Sequence, residues 1–110
     1  MERTEKLANA IGLAMKAGKL KSGDFVVEKL VRAGKARLVL MDETTARNSA
    51  EKYERLCLAM DVERILVAEL GQCIGKPGRM LAAVEDENFS NMIRNAAQIG
   101  VVPKDSNDRG

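Results

Sequence analysis

Apolar residues recur along the chain in two alternating rhythms, one of three and four, the other continuous over four or five residues. From Thr4 to Lys16, Leu7, Ala8, Ile11, Ala14 and Met15 fall three and four apart, which predicts an amphipathic helix with one buried stripe. Ala17 and Gly18 end it. Gly12 inside this helix costs ~1 kcal/mol relative to alanine, so close packing of another element against it is expected. Lys21-Ser22-Gly23-Asp24 then reads as a short polar turn. Val26, Val27, Leu30 and Val31 follow at helical spacing until Gly34, which fits a left-handed C-terminal cap. Val26, four before Leu30, should face the core, whereas Phe25, four before Lys29, should face outward beside that cation.

Arg37 to Met41 is a short apolar run without alternation, as expected of a central strand covered on both faces. Asp42 to Arg47 is a polar loop, and Asn48 with Glu51 three residues later resembles a capping box. Tyr53, Leu56, Cys57 and Met60 mark a third helix by their spacing, and Ile65 to Ala68 a second buried strand. Leu70 to Ile74 fits one helical turn. Gly75-Lys76-Pro77-Gly78-Arg79 is a basic, glycine-rich loop before the strand Met80 to Val84. Phe89, Met92, Ile93 and Ala96 give a last helix, and the polar stretch from Pro103 to Gly110 is expected to be disordered. Helices and strands alternate throughout, so the layer rule predicts a three-layer α/β/α sandwich around a small mixed four-stranded sheet, one domain over residues 1–102.

Composition narrows the function more than the fold. A chain of 110 residues, 45% hydrophobic, supports one core and not two. No apolar run approaches the ~20 residues that cross a bilayer. The start, Glu2-Arg3-Thr4-Glu5-Lys6, lacks the order of a signal peptide. A cytoplasmic protein without a membrane partner is the expectation. There is no histidine, and Cys57 and Cys73 lie far apart, so neither metal-ligand spacing nor a thiol–imidazole pair can be built. Both cysteines read as small buried apolar residues. No Walker loop and no GxGxxG after a strand occurs. Asp42, Glu43 and Asp86 follow strand ends, where acids serve as caps or solvated turns. The chain therefore reads as non-catalytic, with no cofactor and no metal.

Charge adds a location. Net charge is only +2, yet residues 1–40 hold nine basic and four acidic side chains while residues 41–110 hold nine and twelve. Seven cations (Lys16, Lys19, Lys21, Lys29, Arg32, Lys35, Arg37) face two acids, Asp24 and Glu28, within one stretch around the Gly23 turn. A polyanion is the natural partner of such a surface. The free N–H groups of a helix starting there suit a phosphate or a base edge. Aromatic platforms are scarce, Tyr53 and Phe89 reading as core and Phe25 alone standing in the basic turn, so a structured RNA held by phosphates and a few base edges fits better than a single strand.

The phrases IGLAMKAGKLKSG, VEKLVRAGKARLVLMDE and LGQCIGKPGRM, in this order, resemble the YlxQ-type bacterial members of the kink-turn-binding ribosomal protein superfamily. The similarity runs roughly from Leu7 to Ile93. It implies an α/β/α sandwich that binds a sharply bent, internally looped RNA without catalysis. In that superfamily the start of the second helix grips the RNA through a Gly, then after one residue Asn-Glu, then a Lys. Gly23 and Lys29 match that pattern, Phe25 and Val26 occupy the Asn-Glu positions, and neither can hydrogen-bond a guanine edge. Glu43 matches an acid in the next loop. The final loop, apolar in kink-turn binders, is here Lys76-Pro77-Gly78-Arg79, a phosphate-binding loop.

The expected function is that of a non-catalytic, ribosome-associated protein that binds structured RNA, with a kink-turn among the expected RNA partners. Its expected contacts are Lys19, Lys21, Ser22, Gly23, Asp24, Phe25, Lys29, Arg32, Glu43, Lys76, Gly78 and Arg79. Two alternatives use the same fold: a protein-interaction module anchored on Phe25 and Val26, and a substrate-RNA-binding accessory to an RNA-modifying enzyme.

Overall fold

Two continuous apolar runs become the middle of one sheet. The computed structural model describes residues 5–99, so Thr4 and the 103–110 segment lie outside the described residues. The elements run α1 (Glu5–Lys16), β1 (Leu20–Ser22), α2 (Asp24–Arg32), β2 (Leu38–Asp42), α3 (Arg47–Ala59), β3 (Glu63–Val67), α4 (Leu70–Cys73), β4 (Leu81–Val84) and α5 (Glu87–Ile99). The strand order is β1-β4-β2-β3. β4 pairs antiparallel with both β1 and β2, and β2 pairs parallel with β3, so the sheet is mixed.

Every residue of β2 and β4 is buried, and their alternate side chains feed two clusters, one on each face of the sheet, where the length of the chain led to the expectation of one core. Leu38, Leu40, Ala82 and Val84 join Leu7, Ile11, Ala14 and Ile93 under α1 and α5. Val39, Met41, Leu81 and Ala83 join Val27, Val31, Tyr53 and Leu56 under α2 and α3. This is the three-layer α/β/α arrangement, with helices on both faces because both faces are apolar. Gly34 ends α2 as expected: its φ is 74°, its N–H donates to Val31 O and the Lys35 N–H to Leu30 O, a Schellman pair.

Several local expectations give way to packing. Lys21 and Ser22, expected in a polar turn, form with Leu20 an edge strand by pairing with Ala82 to Val84. Val26 is exposed, because Val27 and Val31, four apart, set the line along which α2 meets the sheet and Val26 falls on its flank. The strand expected at Ile65–Ala68 is Glu63–Val67 at the open edge, where only Val67 is buried and Leu66 stands 55% exposed. The capping box is absent: α3 begins at Arg47 after Ala46 with no side-chain cap, and Glu51 turns to Arg47 Nε at 3.4 Å instead. Met60, expected on the buried stripe, is the partly exposed residue just past the end of α3. Gly12 does face another element, yet a Cβ there would stand at an ordinary 3.6 Å from Cys73 O, so contact does not require glycine.

Candidate functional site

At one end of the sheet the turn between β1 and α2 and the loop after α4 meet. The turn is held from below: the Gly23 N–H donates to Leu81 O at 3.0 Å. Gly23 has φ 113° and ψ 146°, a region open in practice to glycine alone. α2 starts directly after it without a side-chain cap. Its first three N–H groups, on Asp24, Phe25 and Val26, find no acceptor among the described residues. Tyr53, only 1% exposed, donates its hydroxyl hydrogen to Asp24 O at 2.8 Å and so fixes where this helix begins. Burial, and after it the charges of Asp24 and Glu28, pushes the Tyr53 phenol up to about 12, which keeps the hydroxyl a donor.

The second loop rests on Gly71. Its Lys76 N–H donates to Gly71 O at 2.8 Å, and a Cβ on residue 71 would come within 2.7 Å of Lys76 O and 3.0 Å of Gly78 N. From the end of this loop Arg79 reaches across, and its Nη1 donates to Ser22 O at 2.8 Å and Ser22 Oγ at 3.1 Å. That contact joins the two loops into one surface.

Asp42, read in the sequence as a cap or a solvated turn, is buried and caps: it bonds the first N–H of α4 and ties that helix to the loop after β2. Its Oδ1 accepts from the Leu70 N–H at 2.7 Å and its Oδ2 from the Thr44 N–H at 2.9 Å and the Thr44 hydroxyl. Its own N–H donates to Met80 O at 2.8 Å. Burial alone would raise its pKa, but the hydrogen bonds from Thr44 and Leu70 outweigh burial and hold the carboxyl below the usual Asp range. A cleft of about 270 Å³ opens between the Asp42–Thr44 segment, α4 and residues 77–80.

The structure gathers Ser22, Gly23, Asp24, Phe25, Gly78 and Arg79 at this end, with Phe25 78% exposed. Glu43 is exposed and follows Asp42 directly, and Lys76 is exposed on the second loop. Lys29 is exposed one helical turn beyond Phe25 and has no ion pair among the described residues. Others stand apart. Lys19 lies at the opposite end of β1, where its carbonyl accepts from the Glu85 N–H, roughly 10 Å along the strand from Ser22. Lys21 turns its ammonium toward Gly18 O at 3.4 Å. Arg32 sits in the last turn of α2 and pairs with Glu28 at 3.0 Å, while Lys52 takes the other Glu28 oxygen at 2.9 Å. Lys52 first, then Arg32, keeps the Glu28 carboxyl below its ordinary range. Tyr53, Thr44 and Gly71 are site-building residues that the sequence reading did not single out. The one available signal was Asp42 closing an apolar run. Among the described residues no group of His, Cys, Asp and Glu could hold a metal ion, and no helix is long and apolar enough to cross a membrane.

A family model described as the ribosomal protein L7Ae/L30e/S12e/Gadd45 family matches residues 5–93. The RNA-binding protein YlxQ of Bacillus subtilis (strain 168) is 38% identical over 86 residues, which span 76% of this chain and 86% of that protein. The RNA-binding protein YlxQ of Enterococcus faecium is 34% identical over 89 residues, 74% and 82% of the two chains. A solved structure of a protein of unknown function from Bacillus halodurans C superposes with a TM-score of 0.81 at 26% identity, covering 86% of this chain and 99% of its own. The Giardia lamblia 15.5kD RNA binding protein superposes with a TM-score of 0.69, covering 89% and 90% of the two chains; at 18% identity the likeness concerns the fold.

Proposed function

Because the chain belongs to the ribosomal protein L7Ae/L30e/S12e/Gadd45 family, we propose that it is a non-catalytic, cytoplasmic binder of structured RNA, associated with the ribosome or another ribonucleoprotein. Two relatives that it matches over most of their length carry the name RNA-binding protein. The observation that carries the reading is the junction of the two loops through Arg79 and Ser22. It sets three unbonded helix-start N–H groups beside a second glycine-rich loop bearing Lys76. Such N–H groups and cations bind phosphate without regard to sequence.

The bound RNA is one that bends sharply and offers an unpaired base. Phe25 presents an open ring face next to the phosphate-binding N–H groups, and stacking accepts any base. Phe25 and Val26, the second and third residues of α2, carry no side-chain group that can read a guanine edge by hydrogen bonds. A kink-turn is therefore gripped by its bent backbone and an unstacked base.

The test is binding to a kink-turn RNA and to a duplex of equal length across a salt series. The kink-turn should bind tighter, and Lys76→Ala should flatten the slope of log K against log salt by about 0.7 to 0.9. Phe25→Ala should lose about 1–3 kcal/mol of RNA affinity with the fold intact. RNA binding that is absent, or unresponsive to salt, would refute the proposal. Phe25 is also the most exposed aromatic residue described. If Phe25→Ala keeps RNA affinity and loses a protein partner, the interaction-module reading replaces this one.

A further inference from the structure

Resting on that reading, we infer that Arg79 is a positioning residue: it latches the second loop to the β1–α2 turn so that both meet the RNA as one rigid surface. The sequence alone assigns Arg79 to phosphate. Its geometry is that of a clasp. One guanidinium nitrogen, Nη1, donates to both the carbonyl and the hydroxyl of Ser22. The same nitrogen would lie 2.8 Å from a Cβ on residue 23, so glycine at that position makes room for the clasp as well as tolerating its φ of 113°. Gly23 and Arg79 thus form a matched pair, one supplying the space and the other filling it.

The latch spans the gap between two separately anchored segments. Ser22 and Gly23 are tied to β4 through strand pairing and the Gly23 N–H. The second loop is tied to α4 through Gly71. Arg79 bridges one to the other through its side chain. Fixing both before RNA arrives removes an ordering cost from binding. A lysine does not reach the same position, because its ammonium ends one bond short of Nη1 on a flexible stem.

The test uses the full-length chain. In the free protein, amide hydrogen exchange at Gly23 should speed up severalfold in Arg79→Ala and equally in Arg79→Lys, with global stability little changed. Against a kink-turn RNA, both variants should bind roughly 2- to 10-fold more weakly with the salt slope of the wild type. A phosphate contact predicts otherwise: Arg79→Lys would restore both affinity and slope, and Arg79→Ala would flatten the slope by about 0.7 or more. That pattern, or unchanged exchange at Gly23, overturns the latch. The exchange measurement needs no RNA, so a protein that binds no RNA but shows the faster exchange would sink the functional proposal and leave the latch standing.

Discussion

Replacing Gly71 by alanine should cost about 1–3 kcal/mol of stability, and the structure says where the cost arises. The new Cβ would stand 2.7 Å from Lys76 O, 3.0 Å from Gly78 N and 3.2 Å from Pro77 Cα. All three are backbone atoms, so no rotamer change can relieve the clash, and the loop must lift off α4. Overpacking of this kind costs about 1–3 kcal/mol. Lengthening the 2.8 Å bond from the Lys76 N–H to Gly71 O adds about 0.5–1.5 kcal/mol, and the better helix propensity of alanine returns at most ~1 kcal/mol. Gly12→Ala is the matched control. It too lies in a helix facing another element, but its Cβ meets Cys73 O at 3.6 Å, so it should gain about 0.4–1 kcal/mol. Urea denaturation at equal m-values separates the two by a lower midpoint for Gly71→Ala and a higher one for Gly12→Ala. Equal midpoints, or destabilisation by Gly12→Ala, would show that the close approach of the loop does not govern these sites.

Two titrations can be checked directly. Asp42 has a folded pKa below its unfolded value, so its contribution is present above the ordinary Asp range near 3.9 and is lost as pH falls through the folded pKa. Asp42→Asn should cost about 1–3 kcal/mol at neutral pH, since an amide nitrogen would face one of the N–H donors, and should flatten the acid limb of a stability–pH curve. An unaltered acid limb would count against the role assigned to Asp42. Tyr53 runs the other way: its folded pKa of about 12 exceeds the unfolded value near 10, so stability present below pH 10 is lost between pH 10 and 12. Tyr53→Phe should cost about 1 kcal/mol at pH 7 through the lost bond to Asp24 O. It should also make the alkaline limb shallower than that of the wild type.

What the sequence made legible was burial on long or continuous patterns. The stripe of α1, the all-apolar β2 and β4, and the Gly34 cap each follow from a single periodicity or a single residue type. Short or marginal elements escaped because partners define them. β1 has one apolar residue in three, too few for a period, and exists through its pairing with β4. β3 reads as buried by composition, but its position at the sheet edge exposes Leu66. In α2, four valines and leucines occur where the sheet contact is wide enough for only two fully buried side chains. The candidate site was legible as a location and not as a mechanism. Glycines and cations marked both loops, and the Glu28–Arg32 pair follows the i,i+4 rule of a helix, yet no spacing rule reveals that Arg79 faces Ser22 across 57 residues. That contact depends on the register of β1 against β4.

That register carries a consequence for biosynthesis. β1 hydrogen-bonds to no strand but β4 among the described residues, with Leu20 opposite Val84 and Ser22 opposite Ala82. During translation the chain emerges N-terminus first, and α1, β1 and α2 leave the ribosome long before β4 does. A nascent chain halted after β3 would hold α2 and its cations but would lack the strand against which the Gly23 turn is set, and the loop that carries Arg79. On the proposed function, recognition of structured RNA should therefore switch on late and abruptly, when residues through Val84 have emerged. A ribosome-bound fragment ending before β4 should lack any preference for a kink-turn over a duplex and keep only the sequence-independent attraction of its cations for phosphate.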